Sequence, residues 1–236
     1  MAGAVAEDVK VLGVSLSPFV IRVLIALRLK RVQYELVEVR LAEPKSETLV
    51  KSNPVYKKIP VLLHRGKPIC ESAVIVQYID EEWTDGGGSS SILPAAPFDR
   101  AIARFWAVYI DDKLPALIRA MRPEKEAAKV TELAGQIRQV LGLLEEAFAV
   151  CGKGKGFFGG DAVGYLDIAL GSCLGWIVAL EKGKSVKLLD AEEFPQLAEW
   201  ADRFLAEESV KGLVPDADEY LKILGVAAVG TSTTAA

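Results

Sequence analysis

A stretch rich in glycine, serine and proline separates two parts of the chain that have different hydrophobic patterns. It runs from Thr84 to Pro97 and reads TDGGGSSSILPAAP, which is typical of a linker or an exposed loop. Before it, short β-branched runs alternate with runs of helical spacing; after it, strand signals are almost absent. The pattern predicts a tail (residues 1–8), an α/β domain (9–84), a linker (85–97), an all-α domain (98–224) and a second, flexible tail (225–236).

The α/β part predicts the order strand, helix, strand, helix, strand, strand, helix. Alternating or β-branched runs indicate the strands, and apolar residues three and four positions apart indicate the helices. The strands are expected at 9–14, 34–39, 59–64 and 67–70, and the helices at 19–29, 45–51 and 72–82. In the second part, helices are expected at 98–121, 124–149, 164–182, 194–206 and 216–224.

Composition excludes several classes of function. The chain has 236 residues, of which 51% are hydrophobic and 25% charged, so it has the material for a large core. A net charge of −4 argues against a nucleic-acid surface. One histidine and three scattered cysteines give no metal-binding spacing and no disulfide framework. With no signal peptide and no long apolar run, we expect a cytoplasmic protein that does not bind membranes.

The first candidate site is the turn SLSPF between the first strand and the first helix. Ser17 precedes Pro18 and would be the N-cap of that helix. A hydroxyl at this position faces unpaired N–H groups and the positive end of the helix dipole, where an anion is favoured. Taken alone, Ser17 is better explained as a helix cap, because serine is a common N-cap residue.

Three further features could bind a ligand. The Ile59-Pro60 bond opens a strand, and a cis bond there would leave the preceding backbone free to pair with an extended ligand. Glu71 and Ser72 stand between a strand and a helix, where Ser72 could cap the helix, its N–H could bind a carboxylate and Glu71 could bind an ammonium. Lys45 lies in a turn. Separately, each has a structural explanation, namely an edge proline, a cap and a solvated lysine.

The order and spacing of these features resemble the glutathione transferases, and more narrowly the plant tau class. The strings that carry the resemblance are SPFVIRVLIAL, LVKSNPVYKKIPVLLHRGKPICES, IVQYIDEEW, FWAVYIDDKL, GYLDIAL and FPQLAEWADRF. The resemblance covers about residues 9–224. The resemblance implies a thioredoxin-like N-terminal domain, an all-α C-terminal domain, and a homodimer. It also implies that glutathione is a co-substrate rather than a permanently bound cofactor.

The resemblance also implies roles for individual residues. Ser17 matches the catalytic serine, whose hydroxyl donates to the sulfur of glutathione. The glutathione-binding positions are Lys45, Lys58, Ile59, Glu71 and Ser72, supported by Arg22 and a cis Pro60. The hydrophobic co-substrate would lie between the domains, against Val14, Tyr109, Lys113, Trp176, Leu221 and Leu224. Val14 departs from the family, which often has an aromatic residue there, and this leaves the identity of the co-substrate open.

Three functions remain to be compared. The first is conjugation of glutathione to hydrophobic electrophiles, with peroxidase activity in some relatives. The second, thiol–disulfide exchange, needs a cysteine where Ser17 stands, because it proceeds through a mixed disulfide. The third is a non-catalytic carrier of apolar ligands. The serine argues against the second, and the complete set of glutathione-binding residues argues against the third as a sole role.

Overall fold

The computed structural model describes residues 8–84 and 91–223. The α/β part has the predicted order of elements. Its strands are β1 (Val9–Gly13), β2 (Glu35–Glu38), β3 (Val61–His64) and β4 (Lys67–Cys70). Its helices are α1 (Pro18–Leu29), α2 (Glu47–Ser52) and α3 (Ser72–Glu82).

The four strands form one mixed sheet in the order β2-β1-β3-β4. Strand β1 pairs in parallel with β2 and antiparallel with β3, which pairs antiparallel with β4. Successive residues of β1 face opposite sides of the sheet, as in any strand. Val11 therefore belongs to the main core beneath α1 and α3, whereas Leu12 packs with Leu49 of α2 on the other side. The result is a sheet covered by helices on both faces.

The second part is helical in the region that the structure describes, residues 91–223. Its helices are α4 (Pro97–Met121), α5 (Ala127–Gly152), α6 (Tyr165–Gly171), α7 (Leu174–Lys184), α8 (Pro195–Ala206) and α9 (Ala217–Ile223). Within the described residues, none of the helices has the length and hydrophobicity needed to cross a membrane.

The single helix predicted over 164–182 is wrong, because the structure divides it into α6 and α7. Ser172 and Cys173 lie at the break, and the hydroxyl of Ser172 donates to the carbonyl of Ala169 at 3.2 Å. Such a side-chain bond competes with the helical hydrogen bond. The Ala169 carbonyl also accepts from the Arg22 guanidinium at 2.9 Å, so the break supplies a partner for a buried cation.

The two parts share one continuous hydrophobic core. Ile21 of α1 and Ile75 of α3 belong to the same buried cluster as Ile110 and Leu114 of α4. Because α4 packs against this face of the α/β part, a cleft forms where the start of α1, the loop before β3 and the start of α3 meet α4.

Candidate active site

Ser17 occupies the turn between β1 and α1 with its hydroxyl free. Its N–H donates to the carbonyl of Val14 at 3.0 Å, and its carbonyl accepts from the N–H of Ile21 at 2.9 Å. Ser17 is the N-cap residue of α1, but its side chain makes no capping hydrogen bond. The hydroxyl is therefore half-buried, close to the positive end of the α1 dipole, and available to a ligand.

Two contacts from other elements hold this turn. The N–H of Ser15 donates to the carboxylate of Glu38 in β2 at 3.2 Å. The hydroxyl of Tyr220 in α9 donates to the carbonyl of Leu16 at 2.7 Å. The position of Ser17 thus depends on contacts with β2 and with α9. Sequence reasoning missed Tyr220, because no local pattern signals a contact across 204 residues.

The loop before β3 leaves a backbone edge open beside Ser17's helix. The Ile59-Pro60 peptide is cis, as the sequence predicts. Neither the N–H nor the carbonyl of Ile59 bonds to another described residue. Buried Asn53 shapes the loop, since its amide donates to the carbonyl of Lys58 at 3.0 Å and accepts from the N–H of Tyr56 at 3.1 Å. Sequence reasoning did not single out Asn53, so its positioning role was missed.

Glu71 and Ser72 lie at the start of α3. Glu71, rather than Ser72, is the N-cap residue, so the expected capping role of Ser72 is wrong. Glu71 has a left-handed backbone (φ 70°), a conformation that residues with a side chain seldom adopt. Its exposed carboxylate makes no capping bond, and the Ser72 N–H, in the first turn of α3, has no helical partner.

One cleft brings most of the predicted glutathione-binding residues together, whereas Ser17, two residues before the lining residue Phe19, lies outside its lining. It has a volume of about 280 Å³, close to the lower size of small-molecule sites. The α/β part lines it with Phe19, Lys58, Ile59, Pro60, Glu71 and Ser72, and α4 lines it with Asp111, Pro115 and Arg119. Lys45 stands outside the lining, where its ammonium donates to the carbonyl of Lys57 at 3.3 Å. No three metal-binding side chains cluster among residues 8–84 and 91–223.

Arg22 lies behind the cleft and joins the two domains. Its guanidinium forms an ion pair with Asp111 at 2.7 Å and donates to the hydroxyl of Ser172 at 3.2 Å. It also approaches the hydroxyl of Ser72 at 3.5 Å and the ring centre of Phe19 at 5.1 Å. Burial, the largest influence, lowers the pKa of Arg22, but the hydrogen bond and charge of Asp111 outweigh it and the net pKa is raised. The cation is therefore permanent.

A second, smaller cavity adjoins the cleft near the C-terminal end of α4. It has a volume of about 60 Å³ and lies between α4, α7 and α9. Trp176 and Leu221, both predicted to contact a hydrophobic co-substrate, line this cavity. Arg119 lines both cavities, so the two are neighbours.

The remaining predicted pocket residues lie elsewhere. Val14 accepts the Ser17 N–H bond in the turn, and Tyr109 packs its ring on Trp106 at 5.5 Å. Lys113 is exposed on α4. None of these three lines either cavity. Leu224 falls outside the described residues.

Comparison with known proteins identifies the family of this chain. Residues 7–81 match the model of the glutathione S-transferase N-terminal domain, and residues 103–208 match that of the C-terminal domain. Glutathione S-transferase U15 of Arabidopsis thaliana is 51% identical over 219 residues, covering 92% of this chain and 93% of its own. The chain belongs to the tau class of the glutathione transferase family. As a glutathione transferase, it conjugates glutathione to an electrophile.

Further relatives support the assignment of this transferase to the tau class. Probable glutathione S-transferase GSTU6 of Oryza sativa subsp. japonica is 48% identical, covering 94% of each chain. The structure of a tau-class transferase from mango superposes with a TM-score of 0.87 at 46% identity, covering 94% of this chain and 99% of that one. The structure of rice GST1 in complex with glutathione gives a TM-score of 0.80 at 35% identity, covering 94% and 97%. The thioredoxin-like and all-α architecture predicted from the sequence is thus confirmed.

Proposed function

We propose that the transferase joins glutathione to hydrophobic electrophiles and that the hydroxyl of Ser17 stabilises the glutathione thiolate. The observation that carries this proposal is the free hydroxyl of Ser17 at the N-terminus of α1, with no capping bond to occupy it. The solved structure of rice GST1, a neighbour of this fold, is a complex with glutathione.

The cleft supplies partners for each charged group of glutathione. The tripeptide has two carboxylates and one ammonium. Lys58 and the unpaired N–H groups at the start of α3 suit the carboxylates, and Lys45 adds a second cation close to the Lys57 carbonyl. The exposed carboxylate of Glu71 suits the ammonium. The unpaired backbone of Ile59 suits the cysteinyl unit, as in strand addition.

The energetic demand on Ser17 is modest. A free thiol has a pKa near ~8.5, so conjugation at neutral pH needs that pKa to be lowered by about two units. This corresponds to about 3 kcal/mol of differential stabilisation of the thiolate. A hydrogen bond to an anion together with a helix dipole supplies an amount of this size.

The cysteines do not favour thiol–disulfide chemistry. Burial raises the pKa of Cys70, Cys151 and Cys173, which makes all three poor nucleophiles at neutral pH. Ser17 occupies the position where exchange would need a cysteine. Conjugation through an activated thiolate of the substrate therefore fits the site better.

The test compares the parent with Ser17→Ala and Ser15→Ala in conjugation of glutathione to 1-chloro-2,4-dinitrobenzene across roughly pH 6 to 9. Ser15 is the matched control, because it lies in the same turn but does not cap α1. We expect Ser17→Ala to lower kcat at least about tenfold, to raise the apparent pKa of the bound thiol and to leave glutathione affinity almost unchanged. Ser15→Ala should behave as the parent.

Equal kinetics for Ser17→Ala and the parent would overturn the role of Ser17. An inactive parent that still binds immobilised glutathione would instead favour the carrier function. Homodimerisation and a cytoplasmic location stay predictions of the sequence.

A further inference from the structure

The small cavity between α4, α7 and α9 combines an apolar interior with a positively charged rim. Ile118, Trp176 and Leu221 are among its apolar residues, and Arg119, Arg122 and Lys184 also line it. No aspartate or glutamate lines it. In a chain with a net charge of −4, this is a local reversal of the average charge.

The two arginines of the rim have no ion-pair partner among the described residues. The guanidinium groups of Arg119 and Arg122 have no hydrogen bond or ion pair to any described residue. Lys184 donates to the carbonyl of Glu124 at 2.5 Å, and the nearby Glu124 carboxylate offsets part of its charge. The Glu124 carboxylate accepts from the N–H groups of Lys125 and Glu126 and is not part of the lining.

Arg119 has a special position, because it lines both this cavity and the cleft that contains Lys58, Glu71 and Ser72. It is the residue that the two cavities share among those described. A group bound at Arg119 would therefore lie between the glutathione cleft and the apolar cavity.

The cavity is too small to hold a whole ligand, so part of any bound ligand must lie at the rim. At about 60 Å³, it is well below the roughly 300 Å³ of a typical small-molecule site. It can hold one apolar group, and the rest of the molecule must remain at the mouth. Guanidinium groups bind carboxylates through paired hydrogen bonds and also stack on aromatic rings. The mouth thus suits an aromatic or aliphatic compound that carries an anionic group.

We propose that Arg119 and Arg122 form an anion subsite, so that this transferase prefers apolar electrophiles bearing a carboxylate over neutral ones of the same shape. The inference rests on the proposed function and names the co-substrate class of that site. Lys184 adds to the positive potential of the rim. Arg119 and Arg122 are specificity-determining residues and take no part in activating the thiol.

The experiment compares two electrophiles with the same reacting carbon, 4-chloro-3,5-dinitrobenzoate and its methyl ester. Each rate is divided by the uncatalysed rate with glutathione, which removes the difference in intrinsic reactivity. The variants are Arg119→Gln, Arg122→Gln and the double variant that carries both substitutions. Lys155→Gln is the matched control, since Lys155 is an exposed cation that lines neither of the two cavities.

We expect the double variant to lower kcat/KM for the carboxylate at least about tenfold and for the ester less than about twofold. The loss should appear in KM for the carboxylate. Arg122→Gln, at a residue that does not line the glutathione cleft, should leave the KM of glutathione unchanged. Raising the salt concentration should reduce the parent's preference for the carboxylate over the ester, as the double substitution does. Lys155→Gln should keep the preference of the parent.

Three results would overturn the inference: equal losses for both electrophiles, no loss for either, or a rise in the KM of glutathione as the main effect. The last would assign Arg119 to glutathione instead. A second readout, displacement of a fluorescent naphthalene sulfonate by 4-chloro-3,5-dinitrobenzoate, measures anion binding without turnover. If the parent turns over neither electrophile but the dinitrobenzoate displaces the dye in an Arg119-dependent manner, the proposed function fails and the anion subsite stands.

Discussion

The hydroxyl of Tyr220 donates a hydrogen bond of 2.7 Å to the backbone carbonyl of Leu16, the residue before Ser17. Tyr220 is only 1% exposed, and burial, the largest influence, raises its pKa, so the hydroxyl stays protonated and remains a donor. Its neighbour Leu221 lines the apolar cavity. Helix α9 therefore contacts the turn of Ser17 with one residue and the co-substrate cavity with the next.

This arrangement predicts that Tyr220→Phe weakens catalysis without removing substrate binding. Losing one hydrogen bond of about 1 kcal/mol should lower kcat roughly three- to fivefold, because the Ser17 hydroxyl is held less firmly. The KM of glutathione should not change, and the apparent pKa of the bound thiol should rise. Steady-state kinetics and the ultraviolet absorbance of the thiolate measure both effects.

Tyr165→Phe is the control for Tyr220→Phe. It also removes a buried tyrosine hydroxyl, here one that accepts from the Gln77 amide at 3.3 Å, away from the Ser17 turn. It should affect thermal stability but leave the pH profile as in the parent. If both variants shift the pH profile equally, Tyr220 has no specific role in positioning Ser17.

Gly175 allows α9 to approach α7 closely. A Cβ atom at this position would lie 2.3 Å from the ring of Tyr220 and 2.8 Å from the carbonyl of Pro215. We expect Gly175→Ala to displace α9 and to lower the free energy of unfolding by about 1–3 kcal/mol. Gly135→Ala in α5 is the control, since no atom lies within 4 Å of its added Cβ, and it should be neutral or stabilising. Urea unfolding of both variants provides the comparison, and equal stability would show that α9 is not fixed by this contact.

The buried Arg22 should matter more for stability than any surface charge. Arg22→Lys keeps the charge but cannot serve Asp111, Ser172 and the Ala169 carbonyl at once. We expect it to lower the free energy of unfolding by about 3 kcal/mol. Arg203→Lys, at the exposed ion pair with Glu199, should cost less than about 1 kcal/mol. A small loss at Arg22 would mean that the domains are held by their apolar core alone.

Much of the fold could be read from local sequence. Strands and helices of the α/β part follow from hydrophobic periodicity, and the order of elements is the one predicted. The prediction of one helix over 164–182 failed because of a tertiary contact. At the break between α6 and α7, the Ala169 carbonyl accepts from Arg22, which is 147 residues away in the sequence. No pattern near Ser172 could indicate this contact.

The residues of the candidate site also fall into two groups, those that local sequence indicates and those that only tertiary packing brings to the site. Ser17, Ile59, Glu71 and Ser72 could be found because each stands at the end of a helix or strand, where unpaired backbone groups are expected. Asp111 and Arg119 could not, because both lie within the long helix α4 and only packing brings them to the cleft. Asn53 was not found either, because the contact of its side chain with the Lys58 carbonyl forms only in the folded loop.

Glu71 should act on binding rather than on the chemical step. Its carboxylate lies in the cleft, and an ammonium paired with it is stabilised equally before and during the reaction. We expect Glu71→Gln to raise the KM of glutathione about tenfold, with kcat almost unchanged. Glu192→Gln, an exposed carboxylate of the C-terminal domain, should change neither value. A fall in kcat with a constant KM would place Glu71 in the chemical step instead.

Asp167 makes the stability of the C-terminal domain depend on pH. Burial, the largest influence, raises its pKa from 3.8 to about 6, although the N–H groups of Gly164, Phe158, Gly159 and Trp200 oppose this. The folded state then binds a proton that the unfolded state has already released. The stabilisation from this group is fully present below about pH 4 and is lost as the pH rises through about 6, by about 3 kcal/mol in total.

Asp167→Asn tests this directly, because asparagine does not titrate. The variant should be less stable than the parent at every pH, since its amide group places donors opposite four N–H donors. The difference in unfolding free energy, measured in urea from roughly pH 4 to 7, should be largest at the acid end and should narrow toward neutrality. A difference that widens instead would show that the four donors outweigh burial and that Asp167 remains ionised throughout.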